Sequence, residues 1–87
     1  MDKITRRQHD NFELLLRTQL ACVRAAADSI AALKIDSVLS AETIKRIEDE
    51  FSVGIQEIIV LLDDARERGA LSPETVSELK GRFLRQN

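Results

Sequence analysis

The chain has 87 residues, enough for one small domain with limited capacity to bury surface on its own. Hydrophobic residues make up 44% and charged residues 32%, a globular rather than a disordered composition. Thirteen basic against fifteen acidic residues give a formal charge of −2, which is no electrostatic reason to expect nucleic acid or an anionic membrane as the main partner.

The only aromatic residues are three phenylalanines, so the core has to be built from Leu, Ile, Val and Ala, a set that suits packed helices. The first residues, MDKITRRQHDNF, lack the apolar segment of a signal peptide. The longest apolar run, IIVLL at residues 58–62, is far short of the roughly 20 residues a membrane span needs. A cytoplasmic, membrane-free chain is expected.

Helix 1 is predicted over about 3–34, with no internal Gly or Pro. Phe12, Leu16, Gln19, Val23, Ala26, Ile30 and Leu33 alternate by four and three along it, a heptad seam of the kind that packs at shallow angles. Gln19 is the polar residue on that seam: either it fixes register, or the seam is shallow there and the amide reaches water. Cys22 borders the seam and, with no base beside it, reads as a small hydrophobe rather than a nucleophile. His9 is the only histidine. Together with Asp63 and Asp64 it does not make a set of converging metal ligands, so no metal or cofactor is expected. Arg24 and Asp28 have the spacing of an ion pair.

A short turn, KIDSVL, leads to helix 2 over about 41–68. Ile44, Ile47, Phe51, Gly54, Ile58, Leu61 and Ala65 repeat the seam. Folding at residues 36–39 sets the helices antiparallel, with Leu33 near Ile44, Val23 near Gly54 and Phe12 near Ala65. Gly54 costs about 1 kcal/mol in mid-helix and is expected to permit a close helix crossing. Gly69 is placed to end the helix as a left-handed C′ residue.

Helix 3 is predicted over 73–84. Its start, LSPETVSEL from Leu71, reads almost like LSAETIKRI from Leu39, and each is followed four residues on by a phenylalanine, Phe83 or Phe51. Both stretches follow one chemistry. Ser72 and Ser40 are placed as N-caps, Leu71 with Val76 and Leu39 with Ile44 as hydrophobic staples, and Glu74 and Glu42 in the first turn; Pro73 stands at N1. A solenoid needs at least three repeats. The likeness is therefore read as two independent helix starts.

The segment ARERGALSPETVSEL also looks a little like the last helix junction of small dimeric all-α chorismate mutases. Those enzymes line a cavity with several Arg, a Lys and a Glu, whereas only Arg24 and Lys34 lie near the inward positions here. The likeness covers one generic helix start and is set aside.

The fold expected is all-α, a long antiparallel hairpin with a short C-terminal helix, assembling as a helical-bundle dimer. Both long helices carry more apolar surface than one seam uses, and helix 3 is expected to be too short to cover it. The function expected is a small non-catalytic protein–protein interaction module: an adaptor, regulator or chaperone-like protein, not an enzyme. Leu14, Leu20, Ile55, Ile59 and Leu62 are expected to anchor a second copy or another helical protein. The alternative is a regulator that grips RNA or DNA through a basic end built from Arg6 and Arg7 with Arg82 of helix 3.

Overall fold

The computed structural model describes residues 6–86, and three helices follow one another: α1 (Arg6–Asp36), α2 (Ala41–Glu67) and α3 (Pro73–Leu84). The expected start of helix 1 at residues 3–4 lies outside the described residues. All-α architecture is what the sequence dictates, and the three elements fall within two residues of their expected ends wherever they are described.

Local chemistry accounts for each boundary. Ser40 and Ser72 sit at extended φ/ψ (−65°/153° and −70°/153°), and their Oγ atoms accept from the N–H groups of Thr43 and Thr75 at 3.2 and 3.1 Å. Each cap thus satisfies a donor that the first helical turn would leave unpaired. In each, the serine hydroxyl also donates to the threonine Oγ1 at 2.9 Å. The two near-identical stretches are two copies of one capping geometry.

The α2 end is a Schellman motif. Gly69 takes φ +73°, its N–H donates to the Arg66 carbonyl at 3.1 Å, and the Ala70 N–H donates to the Ala65 carbonyl at 2.8 Å. Ala65 and Ala70 are both buried, the apolar contact that accompanies this motif. α1 runs two residues beyond its expected end, and Ser37 takes the left-handed conformation (φ 56°) that closes it.

The connection at residues 37–40 folds α2 back along α1, and the tight α2–α3 link returns α3 along both. Each pair of helices carries one cross-helix ion pair among the described residues. Arg17 meets Glu78 at 3.2 Å, Lys34 meets Glu48 at 2.7 Å and Lys80 meets Asp63 at 3.0 Å. These pairings make α3 antiparallel to α2 and parallel to α1, with its C-terminal end in the middle of the molecule.

The outcome is a rod of 52 × 18 × 17 Å. Its radius of gyration is 15.6 Å, against about 12 Å for a compact domain of this length. At about 1.5 Å per residue, α3 extends only about 18 Å. It therefore builds a three-helix core in one half of the rod and leaves a bare hairpin in the other. The core is Leu16 and Leu20 of α1, Ile55, Ile59, Leu62 and Ala65 of α2, and Val76, Leu79 and Phe83 of α3, closed by Ala70 and Leu71. No polar side chain among the described residues is buried.

Candidate interaction groove

The residues expected to anchor a partner separate into two groups. Leu20, Ile55, Ile59 and Leu62 are in the chain's own core, Leu62 fully buried and Ile55 nearly so. This corrects their reading as partner anchors: Val76, Leu79 and Phe83 cover this stretch of the hairpin, and Phe83 is itself fully buried, although α3 is too short to cover the rest. Leu14 is 65% exposed, on the outer face that Ala21 and Ala25 continue at spacings of seven and four.

The expected seam holds over most of both long helices: Phe12, Leu16, Val23, Ile30 and Leu33 of α1 and Ile44, Ile47, Phe51, Gly54, Ile58 and Ala65 of α2 are buried or half-buried, and the inward arc extends past it. Along α1 the inward residues are Phe12, Leu16, Leu20, Val23, Ala27 and Ile30, while Gln19 and Ala26 are exposed. Along α2, Ile55, Ile59 and Leu62 turn inward and Leu61 is exposed. Sequence spacing alone could not say how far past the seam burial extends, because both long helices are apolar over a wide arc. Burial of α3's Val76, Leu79 and Phe83 decided it.

Seam residues that α3 does not cover line a groove between α1 and α2, and no α3 residue borders it. Gln19, Cys22, Val23 and Ala26 come from α1; Phe51, Gly54, Ile58 and Leu61 come from α2, with Glu57 on the rim and Ile55 at the floor. The groove encloses about 510 Å³ and is open to solvent. Gln19 is exposed in it, so its amide reaches water and does not act as a buried register residue. Cys22 is an exposed free thiol on the same bank.

Gly54 was expected to allow a close crossing of α1 and α2. It does not: a Cβ built on it meets no atom within 4 Å. The residue faces the open groove, and the chain's own packing gives it no reason to be glycine.

The basic end expected from Arg6, Arg7 and Arg82 is not assembled. Because α3 runs parallel to α1, Arg82 comes to lie beside Leu20 and Arg24, with Arg85 and Gln86 around the same hollow. Arg6 and Arg7 are at the start of α1, roughly 26 Å along its axis from Arg24, and make no ion pair with a described residue. Arg82 pairs with Glu78 at 3.3 Å, and the Arg85 Nε–H donates to the Gly81 carbonyl at 3.3 Å. Basic side chains in the last turn of α3 complement the negative end of its dipole.

The α2 acids Asp63 and Asp64 have partners outside α1. Asp63 binds Lys80, and Asp64 binds Arg68 at 2.8 Å, so neither faces Arg6 or Arg7. No cluster of three or more His, Cys, Asp or Glu able to hold a metal ion occurs among the described residues. Arg24 and Asp28 do not form the ion pair their spacing allows. No helix among the described residues is long and apolar enough to cross a membrane.

Arg17 and Glu78 tie α1 to α3. The Arg17 guanidinium donates to both Glu78 carboxylate oxygens, at 3.2 and 3.3 Å, and to Glu13 at 3.2 Å. Hydrogen bonding to Arg17, followed by its charge, holds the Glu78 carboxyl below the usual carboxylate range. The same bond, first to Glu78 and then to Glu13, raises Arg17.

Compared with known proteins, the chain matches no protein-family model, no curated protein and no solved structure.

Proposed function

We propose that the protein is a small non-catalytic protein–protein interaction module of the cytoplasm, an adaptor, regulator or chaperone-like protein. Its working surface is the groove between α1 and α2, which no α3 residue borders, and the occupant is a helix, either of a second copy or of another protein. The observation that carries the reading is the groove itself: a strip of apolar side chains left open beside a completed core.

Surface area supports it. The chain exposes 6461 Å², against about 5,200 Å² for a compact monomer of this length. The surplus of about 1,300 Å² exceeds one partner's share of a standard interface, about 800 Å². Leu15, on the same face of α1 by its spacing of four and seven from Gln19 and Cys22, is 65% exposed, and Leu61 opposite is 46% exposed. Two antiparallel helices with a groove between them are a natural seat for a third helix.

Cys22 makes the reading testable, since it is the single thiol of the chain and lies in the groove. Its rate of reaction with a small thiol reagent should fall when the groove is covered. Light scattering over a dilution series gives the mass under the same conditions. Protection of Cys22 that accompanies self-association, or that follows addition of an apolar-striped helical peptide, supports the groove as the working surface. A chain that stays monomeric, with Cys22 equally reactive throughout, removes the reading.

A further inference from the structure

We propose that the occupant of this groove is an amphipathic helix of another protein that carries basic side chains along one edge of its apolar stripe. The inference rests on the reading above and adds the chemistry of the partner.

Shape specifies a helix. Among the larger side chains of Val23, Phe51, Ile58 and Leu61, the groove holds three small residues, Cys22 and Ala26 on α1 and Gly54 on α2, and the space over Gly54 is empty. Small residues facing each other let helical backbones approach closely, where dispersion contacts are densest. The α2 bank from Phe51 to Leu61 extends about 15 Å, close to three helical turns.

Charge specifies the partner. Glu57 stands on the groove's α2 rim, and Glu50, seven residues earlier and on the order of 10 Å along the helix, lines the shallow hollow that adjoins the groove at Gly54. Neither is in an ion pair among the described residues. Their neighbour Asp49 is already bound by Lys45 at 3.3 Å, and Arg46, one turn before Glu50, makes no ion pair with it. The α1 bank, Gln19, Cys22 and Ala26, carries no charge. The groove is thus apolar with a negative edge on one side alone, and a helix with Lys or Arg at positions seven apart on one edge complements it.

A second copy does not fit this pattern. A two-fold contact places the same face of each protomer against the other. This face holds Glu50 and Glu57, while Arg24, Arg82 and Arg85 stand around the hollow on the α3 side. Groove-to-groove pairing would add like charge and leave the basic residues unused.

The test uses two labelled synthetic helices of about 20 residues, identical in their leucine stripe, one with lysines and one with glutamates at two edge positions seven apart. Fluorescence anisotropy against the full chain should show the lysine helix binding about tenfold tighter at low salt, with the preference shrinking as salt rises. In the E50K/E57K variant, whose changed side chains are exposed, the preference should reverse while circular dichroism stays the same. Equal binding of both helices would overturn the charge inference and leave the groove reading standing. Self-association that protects Cys22 would also overturn it, by making the occupant a second copy. Failure of both helices to bind, with Cys22 reactive at every concentration, would remove the inference and the reading together.

Discussion

Three residues test the physics of this chain one side chain at a time. Gly69 and Ser37 both occupy left-handed backbone at helix ends, yet only one is glycine. A Cβ at Gly69 meets nothing within 4 Å, so the cost of Gly69→Ala is backbone conformation alone, about 1 kcal/mol. The thermal midpoint should fall by about 4–8 °C. Ser37→Gly should act in the opposite direction by a similar or smaller amount, because the folded-state strain is relieved while the unfolded chain gains freedom. Equal midpoints for both variants and the parent would contradict this account of the two turns.

Glu78 gives a pH dependence of known sign. Its folded pKa lies below the ordinary value of 4.5, so between the two values the unfolded chain binds more protons than the folded one. The contribution of the Arg17–Glu78 tie is complete above about pH 4.5 and is lost as pH falls through the lowered value. Both side chains are partly exposed, so the effect is small and screened by salt. Melting curves of the parent and Glu78→Gln should differ at neutral pH and converge in acid. A gap that stays constant down to acid pH would show that Glu78 acts through packing rather than charge.

At the scale of the elements, α3 is the piece that converts a hairpin into a folded domain. Phe83 is fully buried, so Phe83→Ala should cost about 3–5 kcal/mol, close to the whole stability of so small a domain, and leave weakened helical signal at room temperature. Ser72→Ala should cost about 1 kcal/mol by removing the α3 cap. Urea denaturation followed by circular dichroism separates the two magnitudes; a mild Phe83 variant would mean that α3 is not the clamp. Ile59→Glu or Leu62→Glu should behave like the Phe83 variant and unfold the chain, since both positions are core.

The helix boundaries were legible because they depend on neighbours in sequence: a serine cap, a proline at N1, a glycine at C′. How much of each long helix's apolar arc beyond the seam α3 would bury was not legible. Over residues 20–33 of α1 and 55–62 of α2 almost any rotation buries apolar atoms, and the choice depends on α3, about twenty residues beyond the α2 stretch and about fifty beyond the α1 stretch. Leu20 and Ile59 consequently read as surface anchors although they are core, and Gln19 as seam although it is exposed. The one sequence signal for the groove was Gly54, a mid-helix glycine with no turn to make.

For the whole molecule, the uneven cover along the rod sets where it opens. In the α3-clamped half, residues such as Leu62, Leu79 and Phe83 are packed on all sides. In the hairpin half, Ala27, Ile30, Leu33 and Ile47 are only half-buried, and Ile35 and Val38 at the turn are largely exposed. Fewer buried apolar contacts mean that less free energy opposes local opening. Amide exchange should therefore be slowest in α3 and in α2 near residues 55–65, and faster in α1 beyond Val23 and in α2 before Phe51. Mass spectrometry of exchanged peptides resolves the two halves. Uniform protection along both helices would mean the rod opens as one unit, against this account. The docked basic helix adds a second expectation, since it covers the groove rather than the turn end of the hairpin: protection should rise around Gln19 to Ala26 and Phe51 to Leu61 and change little in α3. A gain in α3 instead would place the helix on the other face, against the hollow lined by Arg24, Arg82 and Arg85.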